Sequence, residues 1–297
     1  MKLIKRTEIE KPETVYNLHV EKNHNYVANN IVVSNCHGSK ASILQNLLTV
    51  HGNNIVHRFG LTGTLPEEPI NKLNVHIALG RVVHEVPAVD LIEKGWLATP
   101  DITIMQLNDV KYMTENGVKE PYGLMYEEEE HFFKVNVSRL QAIADLVISE
   151  RQPGKVSNTL ILVNTIKYGK DLQSLIPNSH VLNGSDKVKA RNTVYDLFET
   201  NDDMVVICTK QIAGVGLSID RIFNLIYIDA GKSFINTIQQ IGRGLRKSAD
   251  KDKVNIIDIC SNLLSATGRM KKRVQFYKAA GYPYRRTTLD YDRKDTN

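Results

Sequence analysis

From about residue 138 the chain alternates short apolar runs with amphipathic stretches. The runs at 159–163, 204–208, 225–228 and 254–259 are apolar throughout rather than at every second position. That is how a strand buried on both faces reads. Between the runs, stretches around 167–176, 188–200 and 234–247 carry apolar residues at helical spacing. Strands of this kind separated by helices predict an α/β fold with a parallel sheet covered on both sides.

The first 35 residues follow another pattern. Residues 15–20 alternate like a strand, 21–25 are polar, and 26–28 and 31–33 read as two short strands across an Asn29-Asn30 turn. A β piece of this size cannot bury a core of its own and should need a partner polypeptide to fold. Residues 36 to about 100 mix helix and strand, with a helical apolar spacing at 42–48 and a strand running into a loop at 58–66. The acidic run Glu127 to Glu130 reads as a solvated linker or helix face.

Composition narrows the classes. The 297 residues suffice for about two domains, and 42% hydrophobic with 24% charged residues is ordinary for a globular protein. No apolar run approaches the roughly 20 residues needed to span a bilayer, so no membrane partner is expected. Three scattered cysteines make neither a disulfide framework nor a zinc site, so no metal ligands are assigned, and a reducing, cytoplasmic location is expected. The net charge of +5 mildly favours a polyanionic partner. Basic residues gather late, at Arg269, Lys271, Lys272, Arg273, Lys278, Arg285 and Arg286; a solvated helix face explains them as well as an anion site does.

The stretch after Ser233 carries the first candidate chemistry. Ile235, Ile238, Ile241 and Leu245 form one stripe, and Gln239, Gly242, Arg243 and Arg246 a second. Two arginines one turn apart present fixed positive charge to one target, which suits a triphosphate; a surface helix with two solvated arginines reads the same way. The flanking sequence separates these readings. Gln239-Gln-Ile-Gly-Arg-Gly-Leu-Arg246 resembles motif VI of superfamily two helicases. Val205 to Ser218 resembles motif V, Leu160 to Thr165 motif IV, Leu61-Thr-Gly-Thr-Leu65 motif III, and Cys36-His-Gly-Ser-Lys40 the tail of the DExH motif II. Five motifs in order cover roughly residues 36–285, with the nearest resemblance to phage recombination helicases of the UvsW type.

The resemblance implies a RecA-like fold and a set of roles. Arg243 and Arg246 would act as arginine fingers on the γ-phosphate. Gln239 would position nucleotide or water, Gly216 and Ser218 would lie near the ribose, and His37 would bridge the nucleotide site to the second domain. Thr209 would contact the nucleic-acid backbone, and Thr62 and Thr64 would couple hydrolysis to strand movement. The phosphate-cradling loop G-x-x-x-x-G-K-S/T is missing: Gly231-Lys232-Ser233 is the sole candidate, and Ile226 stands where the loop needs glycine. The Asp-Glu that would hold Mg2+ is missing before Cys36. ATP and Mg2+ are therefore expected only once a second polypeptide supplies those parts.

The missing residues meet a second resemblance. Val15 to Asn35, followed by Cys36, resembles the last two sequence blocks of inteins, and its length resembles C-terminal fragments of split inteins of the DnaE type. In that chemistry the Cys36 thiol takes an acyl group from a partner thioester. The Asn35 amide then attacks its own carbonyl carbon, and His24 transfers protons. No cofactor is needed. Two positions depart from the pattern: Ser34 stands where many inteins have His, and Asn17 where many have Asp.

Together these readings divide the chain into a small all-β split-intein fragment at 1–35, the end of a first RecA-like domain at 36–100, a linker at 101–137, a second RecA-like domain at 138–265 and a basic tail at 266–297. The expected partners are an N-terminal polypeptide carrying the Walker loop and the Asp-Glu of motif II, and DNA. The expected location is the cytoplasm of a bacterial host, if the chain is phage-encoded. Two other readings remain open at this point: an unspliced DNA-binding module without ATPase activity, and part of a contiguous intein-containing helicase.

Overall fold

A computed structural model describes residues 25–28, 31–35, 46, 49–50, 58–61, 65, 68–151, 157–183, 186, 188–209, 221–231 and 251–292. The chain divides into two compact units, residues 1–85 and 86–297.

In the smaller unit, β1 (Asn25–Ala28) and β2 (Ile31–Asn35) pair antiparallel with Ala28 opposite Ile31. That register leaves two residues for the connection, as the Asn29-Asn30 pattern predicts. β3 (Arg58–Leu61) then pairs parallel with β2, Asn35 opposite Leu61. Residues 1–35 were expected to stand apart as an all-β fragment; their described strands instead share a three-stranded sheet with residues 58–61. A lone two-stranded hairpin is marginal and leaves unpaired edge groups, which β3 satisfies along β2. Helix α1 (Pro69–Leu79) opens on a proline, whose missing N–H is no loss in the first turn, and buries Val75 and Ala78.

The larger unit runs α2 (Ala88–Glu93), β4 (Thr99–Leu107), α3 (Asp109–Glu115), a 3-10 turn (Pro121–Gly123), α4 (Tyr126–Val135), α5 (Val137–Glu150), β5 (Thr159–Val163), α6 (Ile166–Gln173), β6 (Ser179–Leu182), α7 (Val188–Thr200), β7 (Val205–Thr209), β8 (Asn224–Ile228), β9 (Lys253–Ser261), α8 (Leu264–Ala279) and β10 (Tyr284–Leu289). Seven strands form one sheet in the order β10-β4-β9-β8-β5-β7-β6, and every adjacent pair is parallel.

Each central strand feeds two cores. Leu160, Leu162, Val206 and Leu225 pack toward α7 and α8, with Phe198, Met270 and Tyr277. Ile161, Val163, Ile207 and Ile226 pack toward α5 and α6, with Ile143, Val147 and Leu172. Both sets of side chains are buried, which is why the runs carry no polar alternation.

Three expected boundaries move. The division falls at 85/86 rather than 100/101, because β4 begins at Thr99 inside the larger sheet. Residues 101–137 are not a linker: they hold most of β4, α3 and α4. Residues 266–297 are not a tail either. α8 lies on the sheet, Arg269 and Arg273 are buried, and β10 pairs with β4 from Tyr284 opposite Ile102. Within the acidic run, Glu129 is fully buried and its carboxylate caps α8, accepting from the Ser265 and Ala266 amides at 2.7 and 3.0 Å.

Candidate functional site

In open parallel sheets, ligands bind beyond the carboxyl ends of the strands. There β5 and β7 end level, with Val163 opposite Thr209. Thr209 is half-buried at that edge. Beside it the chain leaves β5 through Asn164 and Thr165, and Thr165 caps α6 by accepting from the Tyr168 amide at 3.3 Å. Gly169 brings α6 close to the sheet: a Cβ there would lie 3.3 Å from an Ile207 methyl. Phe133, Lys134, Asn164, Thr165, Tyr168 and Asp229 line a shallow cleft at this edge. Lys134 is exposed beside the amino end of α6, an arrangement that suits an anionic oxygen.

Beneath the cleft lies a group of buried charges. Asp229 follows β8 and holds φ +48°, a left-handed conformation that aspartate adopts more readily than most residues. Arg139 Nη1 and Nη2 donate to its two carboxylate oxygens at 2.7 and 2.8 Å. The Nε of Arg139 donates to both oxygens of Asp109, at 3.2 and 3.1 Å. Tyr291 also donates to Asp109, at 2.5 Å. Arg139 is wholly buried, with the Phe133 ring 4.4 Å from its guanidinium carbon. Burial opposes its charge, but Asp109 and Asp229 together hold it protonated. Burial also raises the Asp109 carboxyl above its ordinary range, with Arg139 opposing that shift.

A second buried arginine reaches the same turn from the other face of the sheet. Arg273 forks onto Asp258 at 2.7 and 2.8 Å, and its Nη1 donates to the Ala230 carbonyl at 2.7 Å. Tyr277 donates to Asp258 at 3.1 Å. Arg269 pairs with Glu130 at 3.2 Å and lies over the Tyr126 ring. The arginines of α8 therefore serve the interior. Cys208 and Cys260 are buried as well, and burial pushes the Cys208 thiol up to about 12. Neither is a nucleophile near neutral pH.

Of the sequence-predicted site residues, Thr209 stands at the carboxyl edge beside the end of β5. Ser34 and Asn35 close β2, opposite Gly60 and Leu61. Since β2 and β3 are parallel and end level, Asn35 and Leu61 lie at the same edge of the small sheet. His24, Cys36, His37, Thr62, Thr64, Gly216, Ser218, Gln239, Arg243 and Arg246 lie outside the described residues. Ile226 is buried in the middle of β8, so the position where a phosphate loop needs its first glycine is strand. Among the described residues no group of His, Cys, Asp and Glu is placed to hold a metal, and no helix is long and apolar enough to cross a membrane. Sequence reading missed Asp109, Arg139 and Asp229, which lie 30 and 90 residues apart with no local signature.

Residues 138–248 match the helicase conserved C-terminal domain. That matched segment lies within the larger unit. The chain is 25% identical over 213 residues to the ATP-dependent DNA helicase uvsW of Enterobacteria phage T4, spanning 70% of this chain and 41% of that protein. It is 25% identical over 250 residues to a putative helicase of a Sulfolobus islandicus filamentous virus, spanning 78% and 42%. The fold resembles the crystal structure of T4 UvsW with a TM-score of 0.54, at 18% identity over 87% of this chain and 52% of that one. The chain therefore spans about two fifths of the length of the relatives it matches.

Proposed function

We propose that this chain is the C-terminal half of an ATP-dependent superfamily two DNA helicase of the UvsW kind, remodelling branched DNA, and that it is completed by protein trans-splicing. The helicase part is supported by the matched C-terminal domain and by a parallel sheet whose carboxyl edge gathers Thr209, Asn164 and Thr165. The splicing part is carried by one coincidence. The intein-like sequence ends at Asn35, and the DExH-like motif, lacking its Asp-Glu, resumes at Cys36.

The chemistry at that bond is self-consistent. An N-terminal partner would present its flanking segment as a thioester. The Cys36 thiol attacks the thioester carbonyl and displaces the partner's thiol. The Asn35 side-chain amide then attacks its own main-chain carbonyl, closing a succinimide and releasing the Cys36 amine. An S-to-N acyl shift leaves an ordinary peptide bond preceding Cys36-His37.

In the joined protein, Arg243 and Arg246 would neutralise charge on the transferring phosphoryl group, Gln239 would orient nucleotide or water, and Thr209 would hold the nucleic-acid backbone. ATP supplies the free energy, and Mg2+, held by the partner's Asp-Glu, would screen the phosphates.

Co-expression with an N-terminal polypeptide carrying the Walker loop tests the reading on a denaturing gel. Wild type should yield a ligated band, and Asn35→Ala should halt the reaction before release. Absence of ligation in wild type, or equal ligation in both, contradicts it.

A further inference from the structure

The turn after β8, Asp229 to Gly231, is the last described piece of chain before the stretch containing Gln239, Arg243 and Arg246. It is held from several directions. The Asp229 amide donates to the Ile259 carbonyl at 2.9 Å. Its carbonyl accepts from Asn164 Nδ2 at 3.1 Å, and its carboxylate takes the fork of Arg139. The next carbonyl, Ala230, takes the Arg273 donor from the opposite face of the sheet. Two buried arginines, on α5 and α8, thus converge on two successive residues.

This exceeds what a connecting turn needs. Asp229 sits at positive φ, and left-handed non-glycine residues persist where their surroundings over-determine them, often at functional sites. Burying Arg139 with two carboxylates is no efficient route to stability, because desolvation offsets much of the attraction. It does fix direction: a bidentate arginine–carboxylate pair restrains both partners in angle as well as distance.

We propose that Arg139 and Arg273 are positioning residues that clamp the 229–231 turn and so fix the point from which the chain continues toward Gln239, Arg243 and Arg246. The inference rests on the reading of Arg243 and Arg246 as phosphate contacts. Arginine fingers act over short distances, and a displacement of about 1 Å can cost on the order of a hundredfold in rate. Neither clamping arginine touches substrate; each acts through the turn.

Asp229→Asn is the informative variant, because asparagine tolerates left-handed φ and keeps one acceptor for Arg139 while losing the bidentate pair. Two readouts decide the matter. Hydrogen exchange on the purified chain should accelerate in peptides covering 226–231 and stay unchanged at the amino ends of β5 and β7. Uniform acceleration would mark a merely structural role, and an unchanged 226–231 stretch would overturn the clamp outright. In the joined helicase, kcat for DNA-stimulated ATP hydrolysis should fall by about 10- to 100-fold with KM for ATP held within about twofold. If Arg243→Ala lowers hydrolysis and Asp229→Asn does not, the clamp is wrong and the arginine reading stands. If Arg243→Ala leaves hydrolysis intact, the arginine reading fails, and the exchange experiment still decides whether the turn is clamped.

Discussion

The two edges of the seven-stranded sheet are both buried and both polar, yet they are built from different materials. At the amino edge the centre is Asn158, fully buried. Its Nδ2 donates to the Phe198 and Asn201 carbonyls at 2.8 and 2.7 Å, its Oδ1 accepts from the Met204 amide at 2.9 Å, and its carbonyl accepts from the Phe223 and Asn224 amides. One neutral residue ties the starts of β5, β7 and β8 to the end of α7. At the carboxyl edge the corresponding role falls to Arg139, Asp109 and Asp229, which are charged, with one residue at positive φ. Neutral hydrogen bonds satisfy buried groups at little electrostatic cost, whereas buried charges cost free energy and fix geometry. Charge holds the turn after β8, and the amide groups of Asn158 join the strand starts.

The largest effect should come from Arg139→Ala. It strands two buried carboxylates and should lower unfolding free energy by about 3–5 kcal/mol in urea melts. A loss under about 1 kcal/mol would remove the contrast between the edges. Asn158→Ala should rank next, at about 2–3 kcal/mol, since it leaves two carbonyls and an amide unsatisfied. Its signature is a stability loss without the local exchange change expected of Asp229→Asn.

Asp109→Asn sharpens the comparison through pH. Burial raises the folded-state pKa of Asp109, so its protonated form is favoured by folding. That contribution is present below the ordinary carboxylate range and is lost as pH rises through the raised value. Stability of Asp109→Asn relative to wild type should therefore improve on going from acid to neutral pH; a difference independent of pH would contradict the assignment. Arg151→Ala, at the amino edge, should do least, below about 1 kcal/mol, because its partner Asp203 is half exposed. The Arg151 and Ser157 hydrogen bonds lower the Asp203 pKa, so this small effect should vanish as pH falls through that value.

What the sequence disclosed follows the same division. β5, β7, β8 and β9 were legible because strands buried on both faces are apolar at every position. β6 and β10 were not: each lies at a sheet edge with few buried side chains, so neither leaves an apolar run. β4 hid behind Thr99-Pro100-Asp101. Pro100 is tolerated because β10 begins pairing only at Ile102, leaving that side of Pro100 without a ladder partner. The late arginines read equally as a solvated face or an anion site because an ion pair declares itself only through a distant partner: Asp258 for Arg273, Glu130 for Arg269. The place of Thr209 at a strand end was legible because it closes an apolar run; Asp229 follows a strand too, but nothing local marks its arginine.

The most direct test of the account is ATP hydrolysis by the purified chain, with and without DNA, before and after joining to an N-terminal half. The account predicts none from the chain alone and DNA-stimulated turnover from the joined protein. Hydrolysis by the chain alone at a rate comparable to the joined product would contradict it.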